Sequence, residues 1–167
     1  LDRISGLRWI RILYCYPDTF TDDLIEAIAT CSKVCHYVDL PLQHASNSLL
    51  KTMRRRDTRE QVETLLAKLR ARIPDICLRT TFIVGFPGET EEQFQELLDF
   101  AEKERFQCAG VFTYSREEGT EAAEMPNQIN EDIKQDRYHR LMAVQAGISE
   151  ELQQSREGRV LDVLIEG

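Results

Sequence analysis

The sequence has no apolar run long enough to cross a lipid bilayer, which takes roughly 20 consecutive apolar residues. It also has no charged and apolar leader of the kind that marks a secretory signal peptide. Cysteine is sparse and odd in number, and the five thiols stand at positions 15, 31, 35, 77 and 108. An odd count without a secretory signal argues against a disulfide framework. We therefore predict a cytoplasmic protein with reduced thiols and no membrane partner.

Basic residues are outnumbered, since 21 lysines and arginines face 29 aspartates and glutamates and give a net charge of −8. Such a surface repels phosphate backbones, so we expect no general binding of nucleic acids. The 42% apolar and 30% charged fractions are typical of a soluble globular protein. A length of 167 residues is enough for one domain with a real core.

Strand and helix signals alternate along the chain. Apolar and β-branched stretches predict strands near residues 9–15, 36–40, 76–84 and 109–114. Capping residues predict that helices begin after Thr21, Thr58, Thr90 and Asn130. This repeated order predicts parallel strands with helical crossovers, and four such strands do not close a barrel. We predict an α/β partial (βα) barrel whose beginning is missing, then a long helix, then the first strand of a separate β-domain over residues 159–165.

The most distinctive stretch is the turn over residues 83–90, which joins the third strand to a helix. Gly85 and Gly88 allow positive φ and a close approach of the backbone to a ligand, and Pro87 stiffens the turn between them. The free N–H groups at the start of the helix favour an anion. The alternative is a strand-to-helix joint that needed small residues, and spacing alone leaves both interpretations open.

Four polar loops follow the four predicted strands, at residues 15–17, 41–44, 85–89 and 114–116. In parallel βα architectures the carboxyl ends of the strands form the face that binds ligands. We therefore predict a ligand site at this edge of the sheet. Within it, His44 is either a general base or a loop histidine bonded to backbone.

Two other groups invite a functional interpretation. Cys31 and Cys35 would need a cysteine at position 38 to match a three-cysteine cluster motif, and Val38 stands there instead. We expect them to be small half-buried thiols at the opposite edge of the sheet. The basic run at residues 54–56 suits either an acidic partner or a solvated helix end, and the second is favoured.

Five motifs, in chain order, resemble those of the radical SAM methylthiotransferases: residues 14–17 (YCYP), 40–44 (LPLQH), 53–56 (MRRR), 79–90 (RTTFIVGFPGET) and 112–120 (FTYSREEGT). The chain is more similar to the branch that modifies an aspartate of a small-subunit ribosomal protein than to the tRNA-modifying branch. The tRNA branch would carry a serine-and-histidine turn at residues 14–16 and Gln-Ser-Gly at residues 43–45. The acidic charge balance also suits a protein substrate.

The resemblance implies that residues 1–157 are the C-terminal part of a radical SAM partial barrel and that residues 158–167 begin a truncated TRAM-like β-domain. The cofactors would be S-adenosyl-L-methionine (SAM) and two 4Fe-4S clusters. The cluster ligands, including a Cys-x-x-x-Cys-x-x-Cys loop, are not in this chain, so we expect the chain alone to be inactive. In the intact enzyme, a radical formed from SAM would take a hydrogen from the β-carbon of the aspartate, a step that cofactors rather than side chains carry out.

The resemblance also implies a set of SAM-binding residues but no catalytic residue and no metal ligand. The backbone from Ile83 to Gly85 would hold the adenine, with Tyr114 beside it, and Glu89 would shape the turn. Gln43 and Arg79 would serve the ribose and the methionine end; a structural ion pair is the alternative for Arg79. The competing functions are a tRNA-modifying methylthiotransferase, a non-catalytic βα nucleotide-binding module and a phosphate-binding barrel enzyme.

Overall fold

The computed structural model describes residues 1–163 and 165, and its centre is one sheet of four parallel strands. The strands lie in chain order and are β1 (Ile10–Ile12), β2 (Val34–Gln43), β3 (Cys77–Val84) and β4 (Cys108–Thr113). All four predicted strands are present; β1 is shorter than predicted and β2 is longer at both ends. Because the strands are parallel, their carboxyl ends share one edge, as the ligand-site prediction requires.

The helices connect the strands. They are α1 (Asp22–Thr30), α2 (Asn47–Thr52), α3 (Arg59–Arg72), α4 (Glu91–Glu104), α5 (Glu121–Glu124) and α6 (Glu131–Gln154). Side chains of the four predicted capping residues accept backbone hydrogen bonds at the starts of α1, α3, α4 and α6, and both capping boxes form. The four-residue α5 was not predicted, since one turn is too short to show a helical period.

The two faces of the sheet have different surroundings. Along β3, every second residue is buried: Leu78, Phe82 and Val84 pack into the hydrophobic core, and the Thr80 hydroxyl donates to the Leu40 carbonyl. The rings of Phe100 and Phe106 meet Phe82 edge-on there, at centroid distances of 6.4 and 5.9 Å. The alternate residues of β3 are only half-buried and face the other side of the sheet. That second face carries the candidate site.

The predicted strand over residues 159–165 is not formed in the part of the chain that the structure describes. Residues 159–163 and 165 have no regular secondary structure, and the Val160 side chain is fully exposed. The sequence has strand propensity here, but a strand also needs a hydrogen-bonded neighbour. Residue 164 of this prediction lies outside the described residues. Among the described residues, no helix has the length and apolar character of a membrane span.

Candidate functional site

The backbone turns sharply at the carboxyl ends of three strands. Tyr14 (φ 57°), Gln43 (φ 71°) and Gly85 (φ 74°) all take the left-handed conformation. Tyr14 and Gln43 do so despite having a Cβ atom, which is uncommon and carries a conformational cost. Strained backbone of this kind concentrates at binding and catalytic sites. Arg54, Arg105 and Asn127 also have positive φ, but Tyr14 and Gln43 lie directly at the carboxyl ends of strands, at the edge of the sheet that the sequence singled out.

A cavity of about 370 Å³, which we call the upper cavity, opens at the carboxyl edge of the sheet. Three of the predicted site residues, Gln43, Ile83 and Tyr114, line it together with Phe86. The Phe86 and Tyr114 rings meet edge-on with centroids 5.3 Å apart. The Tyr114 hydroxyl is buried and has no hydrogen-bond partner in the described part of the chain. Other lining side chains include Met53 and Met125, so the walls are largely apolar.

A lower cavity of about 430 Å³ lies on the same face, and Gln43 and Arg55 line both cavities. The side chains around the lower cavity are Tyr14, Cys15, Tyr16, Asp39, Pro41, Gln43, Arg55, Arg79, Thr81 and Phe112. Arg79 Nη1 lies 3.4 Å from Asp39 Oδ2, so the structural ion pair foreseen for Arg79 is present. The Arg79 side chain is still 43% exposed and remains accessible from the cavity.

Glu89 holds the turn together through three contacts. Its Oε2 accepts a hydrogen bond from the Gly85 N–H and lies 3.4 Å from Arg137 Nη1 of α6. Its Oε1 lies 3.4 Å from His44 Nε2. The Glu89, His44 and Arg137 side chains are all at most 5% exposed. Neither Gly85 nor Glu89 lines the upper or the lower cavity, so we interpret these two predicted residues as shaping the turn.

The general-base hypothesis for His44 is wrong for this geometry. His44 Nδ1 accepts a hydrogen bond of 3.0 Å from the Ser46 N–H, which places the imidazole proton on Nε2 facing Glu89. Both ring nitrogens are thus engaged, and the side chain is completely buried.

The phosphate-binding hypothesis for the turn at residues 83–90 is also disfavoured. The buried Glu89 carboxylate lies in this turn, and its negative charge would repel a phosphate.

Helix α6 closes the back of the turn, which the sequence prediction missed. Lys134 Nζ donates a 2.9 Å hydrogen bond to the Tyr114 carbonyl, and Arg137 pairs with Glu89. A Cβ atom on Gly85 would collide with Lys134 Cγ, so any larger residue at this position would force the Lys134 side chain to move. The sequence did contain one sign of this contact: Lys134 and Arg137 fall on the same buried face of α6 as Leu141. Cations on an apolar stripe indicate buried partners.

Two cysteines meet at the other end of the sheet. Cys77 begins β3 and Cys108 begins β4, where Cys108 pairs with Arg79 in register. The neighbouring Cys77 thiol lowers the pKa of Cys108 to about 6, against the opposing effect of burial. The same contact and burial raise the pKa of Cys77. Cys31 and Cys35 are half-buried thiols, as predicted.

The basic run at residues 54–56 is only partly a solvated helix end. Arg54 is exposed and pairs with Glu121. Arg55 is instead half-buried: it donates a 3.0 Å hydrogen bond to the Pro41 carbonyl, and its guanidinium lies over the Tyr16 ring at 4.7 Å. This arginine therefore fixes the loops on either side of the lower cavity.

Comparison with known proteins gives close relatives in sequence. The chain is 58% identical over 166 residues to ribosomal protein uS12 methylthiotransferase RimO of Desulforamulus reducens, covering 99% of this chain and 37% of that protein. The protein of the same name from Geobacter sulfurreducens is 54% identical over 171 residues, covering 100% of this chain and 37% of the relative. The chain thus spans well under half the length of these curated relatives.

Solved structures share the fold at low identity. Coproporphyrinogen III oxidase (HemN) from Escherichia coli, described as a radical SAM enzyme, superposes with a TM-score of 0.60 at 18% identity, over 87% of this chain and 32% of that one. The radical S-adenosylmethionine methyltransferase TsrM from Kitasatospora setae gives a TM-score of 0.51 at 23% identity, over 62% of this chain and 20% of that one. The α/β partial-barrel prediction is confirmed.

The family profile described as the Radical SAM superfamily matches residues 1–101, which is more than half of the chain. This match includes β1, β2, β3 and the turn that leads into α4. On this evidence the chain belongs to the radical SAM superfamily.

Proposed function

We propose that this chain is the later part of the SAM-binding barrel of a methylthiotransferase. The intact enzyme would add a methylthio group to the β-carbon of an aspartate in the small-subunit ribosomal protein uS12, a reaction located in the cytoplasm. The observation that carries the proposal is the 58% identity, over 99% of the chain, to a protein named for this activity. Relatives of the same name match at 50% identity or more over the whole chain.

The upper cavity is suited to the nucleoside of SAM. Its walls of Ile83, Phe86 and Tyr114 offer apolar contact to a flat ring, and Gln43 adds an amide that can bond a ribose hydroxyl. The Gly85 N–H is engaged by Glu89 and serves the turn rather than the ligand. In our proposal Ile83 and the adjoining backbone bind the adenine, and Glu89 keeps that backbone in place.

The iron–sulfur clusters have a different relation to this chain. Within residues 1–163 and 165, no three cysteine, histidine, aspartate or glutamate side chains come together as metal ligands. We propose that the ligands of both 4Fe-4S clusters belong to parts of the protein outside this chain, so that the chain alone is inactive. When bound, SAM and a reduced cluster supply radical chemistry that no side chain provides. The residues described here bind and orient the cofactor and shape the space beneath it.

The test is a reaction with the full-length protein that contains this chain, reconstituted anaerobically with iron and sulfide. We expect uS12 incubated with this protein, SAM and a reductant to gain the mass of one methylthio group on a single aspartate, as read by peptide mass spectrometry. A reaction without reductant is the control. Modification of tRNA with no change in uS12 would contradict the proposal.

A further inference from the structure

Asp39 is a buried carboxylate with one oxygen free. Its side chain is 1% exposed, and Oδ2 accepts a 3.3 Å hydrogen bond from the Tyr14 N–H and lies 3.4 Å from Arg79 Nη1. Oδ1 is buried and has no hydrogen-bond partner within the described residues. Because an unpaired buried carboxylate oxygen is costly, its position in the wall of the lower cavity indicates a ligand that donates a hydrogen bond there.

Asp39 lies toward the amino end of β2 from the nucleoside position. It stands four residues before Gln43, at most about 13 Å along the strand at about 3.3 Å per residue, and of the two only Gln43 also lines the upper cavity. The register of the sheet sets Arg79 directly beside it. The upper cavity is mostly apolar, whereas the lower cavity presents a carboxylate and a guanidinium side by side. A nucleoside bound in the upper cavity would leave the lower cavity to a second reactant.

We propose that Asp39 and Arg79 form the binding site for the acceptor aspartate of the protein substrate, an assignment that rests on the proposed function. Arg79 donates to the acceptor carboxylate with the fork of its guanidinium. Asp39 Oδ1 accepts the backbone N–H of the acceptor residue. Arg55 also lines this cavity, and its Nη2 donates to the Pro41 carbonyl and to Asp57. We assign the role to Arg79 because the register of the sheet sets it directly beside Asp39. The pair thus recognises a carboxylate and an N–H on one residue.

The methionine end of SAM also carries a carboxylate and an N–H donor, and the family resemblance assigned Arg79 to SAM. The experiment must therefore separate binding of SAM from binding of the acceptor aspartate. Full-length reconstituted protein is prepared as wild type, Asp39→Asn, Arg79→Gln and, as control, Asp75→Asn. Asp75 is 74% exposed and pairs with His36. Affinities for SAM and for purified uS12 are measured directly by equilibrium binding, and thermal unfolding checks the fold. Asp39→Ser is a second, smaller replacement in case Asp39→Asn unfolds the protein.

We expect Asp39→Asn and Arg79→Gln to weaken uS12 binding about tenfold or more, while SAM affinity stays within about twofold and Asp75→Asn changes neither. For uS12 whose acceptor aspartate is changed to asparagine, Arg79→Gln should have little further effect. Unchanged uS12 affinity in Asp39→Asn, an equal loss of SAM affinity, or no binding of uS12 by the wild type would overturn the inference. Wild-type protein that binds uS12 but never modifies it would refute the proposed function alone.

Discussion

The two ends of the sheet hold their charged groups in different ways. At the carboxyl end, Glu89, His44 and Arg137 form a fully buried network around a turn with positive φ. At the amino end, His36 and Asp75 form a shorter contact of 2.7 Å, yet their side chains are 37% and 74% exposed. Burial rather than distance decides how much such charged contacts contribute to the free energy of unfolding, because water screens exposed pairs. This difference predicts that substitutions of charged residues destabilise the protein strongly at the carboxyl end of the sheet and only weakly at the amino end.

The largest effect should follow from Glu89→Ala. This change leaves Arg137 and the Gly85 N–H without their carboxylate partner, and breaking a buried ion pair costs about 3–5 kcal/mol. Asp75→Ala removes the exposed pair and should cost less than about 1 kcal/mol. Urea unfolding followed by circular dichroism measures both. Equal costs for the two variants would show that burial does not distinguish the two ends.

The next effect separates two glycines of the same turn. Gly85 and Gly88 both have positive φ, but only Gly85 would place a Cβ against another side chain, that of Lys134. Gly88→Ala should therefore cost about 1–2 kcal/mol for the left-handed backbone alone. Gly85→Ala should cost about 1–3 kcal/mol more, because Lys134 must move from its contact with Tyr114. Equal losses on urea unfolding would mean that α6 does not close the turn.

A smaller effect is expected at the start of α4. The Thr90 hydroxyl accepts a hydrogen bond from the Gln93 N–H, and the Gln93 side-chain oxygen accepts one from the Thr90 N–H. Thr90→Ala should cost about 1 kcal/mol. Thr58→Ala is the matched control, since Thr58 caps α3 in the same way with Gln61. A much larger loss at Thr90 alone would show that the cap also supports the buried network nearby.

The rate of cysteine alkylation offers a further comparison of the two ends of the sheet, and it does not depend on a change in stability. The neighbouring Cys77 thiol lowers the pKa of Cys108 to about 6, whereas burial, followed by the charge of Asp39, raises the pKa of Cys15. Since the thiolate is the nucleophile, the rate of Cys108 alkylation should rise through pH 6 and level off above pH 7. Over the same pH range Cys15 should stay unmodified. Peptide mass spectrometry after iodoacetamide treatment measures both, and Cys77→Ala should move the Cys108 midpoint upward.

Local features of the fold were predictable from sequence. The capping boxes at Thr58 and Thr90 involve residues three apart, so the sequence contains the whole interaction. Strand β3 was predicted within one residue, because its apolar run ends at a glycine turn. The strand expected at residues 159–165 was wrong for the described residues, because propensity cannot supply a pairing partner. Motif resemblance, rather than residue spacing, led to the family.

The candidate site was predictable only in outline. The position of Gln43, Ile83 and Tyr114 around one cavity followed from parallel topology. Contacts that depend on register were beyond sequence reasoning: Asp39 meets Arg79 across forty positions, and Arg137 meets the Glu89 carbonyl across 48. The free oxygen of Asp39 is likewise visible only once its neighbours have coordinates.

The most direct test of the account is SAM binding by the full-length reconstituted protein with the upper cavity filled. Ile83 is half-buried and lines that cavity, so Ile83→Trp places an indole where the adenine is proposed to bind. We predict at least a tenfold loss of SAM affinity, or about 1.4 kcal/mol, with an unchanged thermal unfolding curve. Asp75→Asn, at the opposite end of the sheet, should bind SAM as the wild type does. Wild-type affinity in Ile83→Trp would contradict the account.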